Sequence, residues 1–528
     1  MSRDDIIAFS FFTIIILITL GITYWAAKKN TSTSSHYVAE GKIKPWQNGL
    51  AISSDYLSAA SFLGIAGAIA LSGFSGFYLS IGFLVAYLTV LLLVAEPLRN
   101  LGRYTVGDAL AARFNTKGVR SASALNTVAI SMFYMIAQLI GAGALINLLI
   151  PAVSFNMSVI IVSVLMTIYV VAGGMIATTW IQIVKAMLLV GGSVLLAIAV
   201  LAQFSFNPIA IFNEVQAEVG REAVIPSAPG AFTENLDAIS LSVALVLGTA
   251  GLPHILIRFL TVPDAKAARR SIIVATWVIG GFYLLTPILG YGATLIVGRE
   301  TIAAADEGGN LAAPLLAGAL GGPFFLAFIS AAAFAAILST VAGLVIAASG
   351  AFAHDFYTNV IRGGEANEHE QLRAARLTAL GISILAIILA LVLQGENVAF
   401  LVALAFAVAA SANVPVLILL IFWRRFNTVG AITGMLTGLI SSVLLVIVSP
   451  IFLGEEGAIF PLSNPGLVSI PLGFLGCLAG TLLGGKNAQR EMEEGTQIDY
   501  DEIYVRANTG ISDIEEELKE VKRERQAT

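Results

Sequence analysis

The chain has 528 residues, 57% of them apolar and only 12% charged, where roughly a quarter of an ordinary soluble domain is charged. A mean hydropathy of +0.87 supplies more apolar surface than a soluble core of this length buries. Disorder, a disulfide scaffold and a water-soluble fold are thereby excluded. A net charge of −5 without a dense basic block speaks against nucleic-acid binding. The single cysteine, Cys477, removes any cysteine-based metal site, and His36, His254, His354 and His369 are scattered without an HExxH pair. With no P-loop and no nucleophile constellation, the chain reads as a non-enzyme.

A membrane-spanning helix needs about 20 mainly apolar residues. Thirteen such segments run in order near 6–27, 48–72, 76–98, 122–150, 157–175, 178–203, 237–257, 271–297, 316–352, 376–394, 397–421, 429–450 and 466–484. The first is read as a retained helix, because it begins Met1-Ser-Arg-Asp-Asp5 and is followed by Lys28-Lys29, with no small-residue cleavage site. The ninth is too long for one perpendicular span and predicts an external helical hairpin or a long tilted helix. With the N terminus outside, 25 of the 29 Lys and Arg residues fall on the cytoplasmic side, leaving Arg3, Arg221 and Arg299 outside and Lys185 within a span. This bias predicts an N-out/C-in orientation, with Thr31 and Thr496 cytoplasmic and Ser227 external. It also divides the chain into a transmembrane domain, 1–485, and a charged cytoplasmic tail, 486–528, in which Ile514–Arg525 is a candidate solvated helix.

The second segment carries the first anomaly. Asp55 sits well inside it, among Ser53, Ser54, Ser58 and Ser61. An ionisable residue in a span is a functional-site hypothesis by default. These oxygens are suited to replacing the hydration shell of a hard cation such as sodium; the alternative is a structural carboxylate that caps a broken helix or pairs with an interior cation. The seventh segment carries the second anomaly, Leu247-Gly-Thr249-Ala-Gly-Leu-Pro253-His254-Ile-Leu-Ile-Arg258, where proline and glycine permit the helix to unwind. His254 is placed to donate to an anionic substrate or to act as a structural partner of the break. Two interrupted helices five segments apart predict an inverted five-plus-five repeat with a site at the bilayer midplane.

In the ninth segment, Ala336, Ser339 and Thr340 share one helical face and offer two hydroxyls to a cation, unless they bond their own backbone instead. Glu96 and Lys185 are placed near helix ends, where snorkelling or loop pairing accounts for them. With no other Lys or Arg placed deep in the spans, a small anion would be held by backbone amides and hydroxyls. The glycines at 430, 434 and 438 form a smooth face for close helix contact.

The chain resembles the sodium/solute symporter family, and within it the acetate and monocarboxylate permease (cation/acetate symporter) branch. The resemblance runs from about residue 8 to 510. It rests on Gly21-Ile-Thr-Tyr-Trp, Gln47-Asn-Gly-Leu-Ala-Ile, Asp55-Tyr-Leu-Ser-Ala-Ala-Ser-Phe-Leu-Gly, Arg99-Asn-Leu-Gly-Arg-Tyr-Thr, Gly251-Leu-Pro-His-Ile-Leu, Ala405-Phe-Ala-Val-Ala-Ala-Ser and Arg425-xxxx-Gly430-Ala-xx-Gly434. It implies an all-α polytopic membrane protein with a LeuT-like core. Helices two to eleven would form the repeat, and helices one, twelve and thirteen would be peripheral. It further implies sodium-coupled uptake by alternating access in the cell membrane, with sodium as coupling ion and no other cofactor.

Carried over by position, the cation site falls on the carbonyls of Ser53 and Tyr56, the carbonyl of Ala336 and the hydroxyls of Ser339 and Thr340, with Asp55 beside it. The substrate pocket falls on Ser58, Tyr134, Gln138, Thr249 and His254. The expected substrate is a short monocarboxylate such as acetate, propionate or pyruvate. Several members of that branch carry small apolar residues in place of Ser339-Thr340, so this sequence looks more sodium-competent than those members and proton coupling is a weaker alternative. A proline-type sodium/amino-acid symporter is another, and a membrane sensor a further one, although the tail is too short to hold a kinase.

Overall fold

The computed structural model describes residues 38–172, 175–225, 232–485 and 497–510, with parts of 6–24 and 490–494. Among the described residues it is helical, and the one isolated β-bridge joins Phe114 to Gln497. Among the described residues nine helices are long and apolar enough to cross a membrane, and the number reaches eleven if each of two bent pairs is one span. A further helix, Phe155–Ala172, is apolar over Phe155–Val164. The expected first span lies largely outside the described residues, although Phe12 packs edge-on against Phe334, ring centroids 5.1 Å apart. Thr31, Ser227, Thr496 and the candidate helix Ile514–Arg525 also lie outside them.

Both expected interruptions are present. Pro45–Tyr56 ends where the Leu57 amide bonds to the Ser53 carbonyl (2.7 Å) and the Ser58 amide folds back onto the Tyr56 carbonyl (2.8 Å). Helix resumes at Ala60, and the two halves are bent by 59°. In the second break the helix tightens over Thr249–Gly251, Leu252 is extended, and Pro253 starts the next short helix, a position where its missing N–H costs nothing. That bend is 41°. Each broken helix is followed by four further helices in the same order. Phe74–Leu93, Lys117–Leu149, Phe155–Ala172 and Met175–Gln203 follow the first; Ala265–Ile296, Ala312–Gly350, Glu368–Val392 and Val398–Phe422 follow the second.

The long ninth segment is a kinked helix. Gly321 and Gly322 leave helical geometry, Gly322 at φ 65°, where a side chain would be strained, and Pro323 starts the longer second part. That part, with Lys117–Leu149 and Val398–Phe422, is mostly buried, whereas Glu368–Val392 shows two thirds of its apolar window to the surroundings. The first set therefore forms the core around the breaks and the second faces lipid. The glycine face behaves as expected: Thr428–Ile447 lies so close to Gly466–Leu483 that a methyl group at Gly434 would collide with the Cys477 sulfur.

The charged tail is docked where it is described. The Ile498 amide bonds to the Arg113 carbonyl (3.0 Å), and Tyr500–Thr509 buries Ile503 and Ala507 against Ala95–Leu101. Arg113 is itself buried, and its guanidinium donates to the carbonyls of Leu420, Trp423, Arg424 and Phe426, capping the helix that ends at Phe422.

Candidate functional site

The five residues expected to line the substrate pocket meet where the broken helices cross. Ser58 Oγ lies 3.3 Å from the Tyr134 hydroxyl, and Gln138 Nε2 donates to Ser58 Oγ at 3.5 Å. Gln138 Oε1 accepts from the Ala59 amide (3.3 Å), so this side chain serves backbone that unwinding has released. The ring of Tyr134 stands edge-on to His254, centroids 5.0 Å apart. Thr249 joins from the second break through Tyr56, whose hydroxyl is 3.1 Å from Thr249 Oγ1 and donates to the Phe83 carbonyl (2.8 Å). All five are buried, and neither ring nitrogen of His254 has a hydrogen-bond partner among the described residues. An unpaired buried polar group costs about 1–3 kcal/mol, so a partner for either nitrogen would be stabilising.

Beside the pocket lies a dry cluster of charges. Asp55 Oδ2 accepts from Arg258 Nε at 2.8 Å, and its other carboxylate oxygen accepts from Gln182 Nε2. Arg258 also donates through Nη1 to Thr179 Oγ1 (3.0 Å), while its Nη2 has no partner among the described residues. Lys185 Nζ donates to the Ser54 carbonyl at 2.6 Å and to Thr340 Oγ1 at 3.0 Å. Asp55, Lys185 and Arg258 are each no more than 1% exposed. Two basic side chains thus stand near one carboxylate in a buried interior.

The candidate cation residues also converge. Thr340 Oγ1 bonds its own helix at the Ala336 carbonyl (3.1 Å) and reaches the Asp55 carbonyl (3.4 Å). The Ser53 carbonyl accepts from Leu57 and the Tyr56 carbonyl from Ser58 and Ser61, so the carbonyl that turns toward Thr340 through Lys185 is that of Ser54. Ser339 Oγ has no partner among the described residues.

Three expectations are corrected. Lys185 is not near a helix end but midway along Met175–Gln203 and buried, because its ammonium has the Ser54 carbonyl and Thr340 to bond. Arg258, counted in a cytoplasmic loop, is buried in Ile257–Thr261 on the second broken helix; Lys266, Arg269 and Arg270 keep the charge bias at that end. Asp55 adopts the alternative role weighed for it, paired with an interior cation. Glu96 behaves as expected, paired with Arg269 at 3.3 Å where both are accessible. The missed residues carried a signal: Thr179, Gln182 and Lys185 recur every third position, one polar stripe on an apolar helix. Arg258 lies one turn after His254.

A second charged cluster stands at the arginine-rich end of the bundle. Asp108 receives Arg120 Nη1 (3.0 Å), lies 3.2 Å from His354 Nε2, and accepts from the Tyr104 amide (2.9 Å). Arg120 reaches Asp355 as well (3.2 Å), and Thr105 Oγ1 donates to the same carboxylate oxygen (3.0 Å). Burial opposes ionisation of Asp108, but the contacts with His354, Arg120 and Tyr104 outweigh it and hold its carboxyl down at about 2. Asp108, His354 and Asp355 lie close enough to share a metal ion, yet Arg120 already supplies the positive charge there.

The chain has clear relatives. The model of the "Sodium:solute symporter family" matches residues 36–438. The chain is 56% identical over 511 residues to a protein of Bacillus subtilis (strain 168) named an uncharacterized symporter, YwcA, covering 96% of this chain and 98% of that one. It is 45% identical to a Corynebacterium glutamicum protein named a monocarboxylic acid transporter, covering 96% of each. Among solved structures it is similar to a Na+-coupled sialic acid symporter in a substrate-bound outward-open state, with a TM-score of 0.68 at 17% identity over 90% of this chain and 98% of that one. At that identity the likeness shows the fold, which is LeuT-like.

Proposed function

The chain belongs to the sodium:solute symporter family, and from that premise we propose that it couples sodium influx to uptake of a short-chain monocarboxylate such as acetate, propionate or pyruvate by alternating access. It is a multi-pass membrane transporter rather than an enzyme. The observation that carries the choice of substrate is the buried positive excess: Arg258 and Lys185 stand against Asp55 alone, next to a pocket that holds an unpartnered His254. A carboxylate entering there gains a balanced charge and hydrogen bonds from side chains otherwise left unpaired. The relative named for monocarboxylic acids supports the same class.

The amino-acid alternative meets an obstacle in this arrangement. An ammonium substrate would need an anionic partner, and Asp55 is engaged by Arg258 and Gln182. Proton-coupled uptake of the same acids is the second reading, favoured by the lysine nitrogen that lies between Ser54 and Thr340. For sodium, the oxygens of Ser339 and Thr340 and the backbone around Ser53–Tyr56 are the ligands, with Asp55 as nearby negative charge. The residues 1–485 form the transporting unit in this reading, and 486–528 a tail at the cytoplasmic face.

Counterflow in proteoliposomes tests the substrate. Vesicles loaded with acetate, propionate or pyruvate should each accumulate labelled acetate transiently, and vesicles loaded with proline should not. Counterflow supported by proline and by none of the monocarboxylates would refute the assignment.

A further inference from the structure

The nitrogen of Lys185 lies beside Thr340, one of the residues proposed to hold the coupling cation. It is 2.6 Å from the Ser54 carbonyl and 3.0 Å from Thr340 Oγ1, and thereby bridges the first broken helix and the ninth segment. These are the two elements whose oxygens the cation site requires. Thr340 Oγ1 is also within 3.4 Å of the Asp55 carbonyl, so three oxygens gather around one position. An ion cannot share that position with an ammonium: the gap is filled, and two like charges at contact in a dry interior repel strongly. Among the described residues no carboxylate pairs directly with Nζ, and the ion pair of Asp55 is with Arg258.

We infer that Lys185 is a tethered cation that occupies this site in the empty transporter and excludes sodium until it withdraws. The inference rests on the proposed sodium-coupled reading and deepens it by naming the residue that sets how much sodium the site demands. The lysine holds the two elements together without an ion, through the carbonyl and hydroxyl a bound ion would use. Its departure frees both oxygens at once, together with the unpartnered hydroxyl of Ser339 on the same helix. Sodium affinity is then a competition with a side chain that is tethered beside the site. Removing the lysine should strengthen the sodium response instead of abolishing it.

The test uses Lys185→Ala, which opens the site, and Lys185→Met, which keeps the side-chain length and volume and removes the charge. One readout is followed in purified full-length protein at fixed pH, the rise in melting temperature with sodium against a potassium control, which reads ion binding without depending on carboxylate uptake. At least one variant should respond to sodium at concentrations tenfold or more below those the native chain needs. An identical sodium response in the native chain and in both variants would overturn the inference. A native chain indifferent to sodium whose Lys185→Ala variant becomes responsive would support the exclusion by lysine while removing sodium coupling from the native chain. Indifference in the native chain and in both variants would overturn the inference and the sodium reading together.

Discussion

Two charged clusters, built from the same kinds of side chain, serve different ends in this molecule. At the arginine-rich end, Asp108 and Asp355 share Arg120 and His354, and Asp108, Arg120 and His354 are partly accessible. At the helix breaks, Asp55 faces Arg258 and Lys185, and none of the three is more than 1% exposed. The first cluster has at least as much negative as positive charge, tolerates water at its edge, and ties Val106–Ala111 to the helix end carrying His354 and Asp355. The second is dry and has one basic group too many. Burial without charge balance is costly, and a protein that keeps such a cluster has a use for the imbalance. In the proposed function that use is to receive a carboxylate.

The largest effect expected from this contrast comes from Asp55→Asn. It preserves shape but leaves the buried Arg258 without its carboxylate, so uptake should be nearly abolished, and stability should fall by about 3–5 kcal/mol, the usual cost of breaking a buried ion pair from one side. Melting of the detergent-purified variant and uptake in proteoliposomes give the two numbers, and native-like uptake would break the comparison. Next in size is Ser339→Ala combined with Thr340→Ala, which removes two hydroxyl ligands. The sodium concentration for half-maximal uptake should rise by more than the tenfold step that corresponds to about 1.4 kcal/mol. Full sodium dependence retained in the double variant would place the ion elsewhere.

Ser58→Ala and Thr249→Ala should each raise the KM for a monocarboxylate by up to about tenfold, worth about 1.4 kcal/mol, and change the sodium requirement less. Equal KM values in the native chain and both variants would argue against the pocket. The smallest effect belongs to the arginine-rich end. The carboxyl of Asp108 is held at about 2, below the ordinary value of about 3.9. Its contribution is therefore complete above the ordinary value and is lost as pH falls from about 4 toward 2. The difference in melting temperature between the native chain and Asp108→Asn should be full at pH 5 and shrink below pH 4. A difference that stays constant down to pH 2 would show that this carboxylate contributes no ionised contact.

Much of this was legible in the sequence. Pro253 just after Gly248 and Gly251, and Asp55 among serines, announced both breaks, because neither pattern survives in a helix that faces lipid. The spacing of those breaks gave the repeat, and the family resemblance brought Ser58, Tyr134, Gln138, Thr249 and His254 to one crossing. Lys185 and Arg258 were misplaced for a physical reason. Hydropathy averages over a window, so one charged residue beside Trp180, Ile181 and Ile183 disappears into the apolar mean, and Arg258 follows a break where the chain seems already to have left the membrane. Their positions are decided by partners more than 70 residues away in the chain, Ser54, Thr340 and Asp55, which no local pattern contains. The kink at Gly321-Gly322 was foreshadowed by segment length alone.

The central claim is that inward movement of sodium drives accumulation of a small carboxylate through the crossing of the two broken helices. Its most direct test is uptake of labelled acetate into proteoliposomes of the full-length chain at one fixed pH, with an inward sodium gradient, an equal potassium gradient, or an imposed proton gradient alone. The account predicts accumulation above equilibrium with the sodium gradient, none with potassium, and loss of the sodium-driven component in Asp55→Asn. Accumulation driven by the proton gradient alone, with no response to sodium, would contradict it.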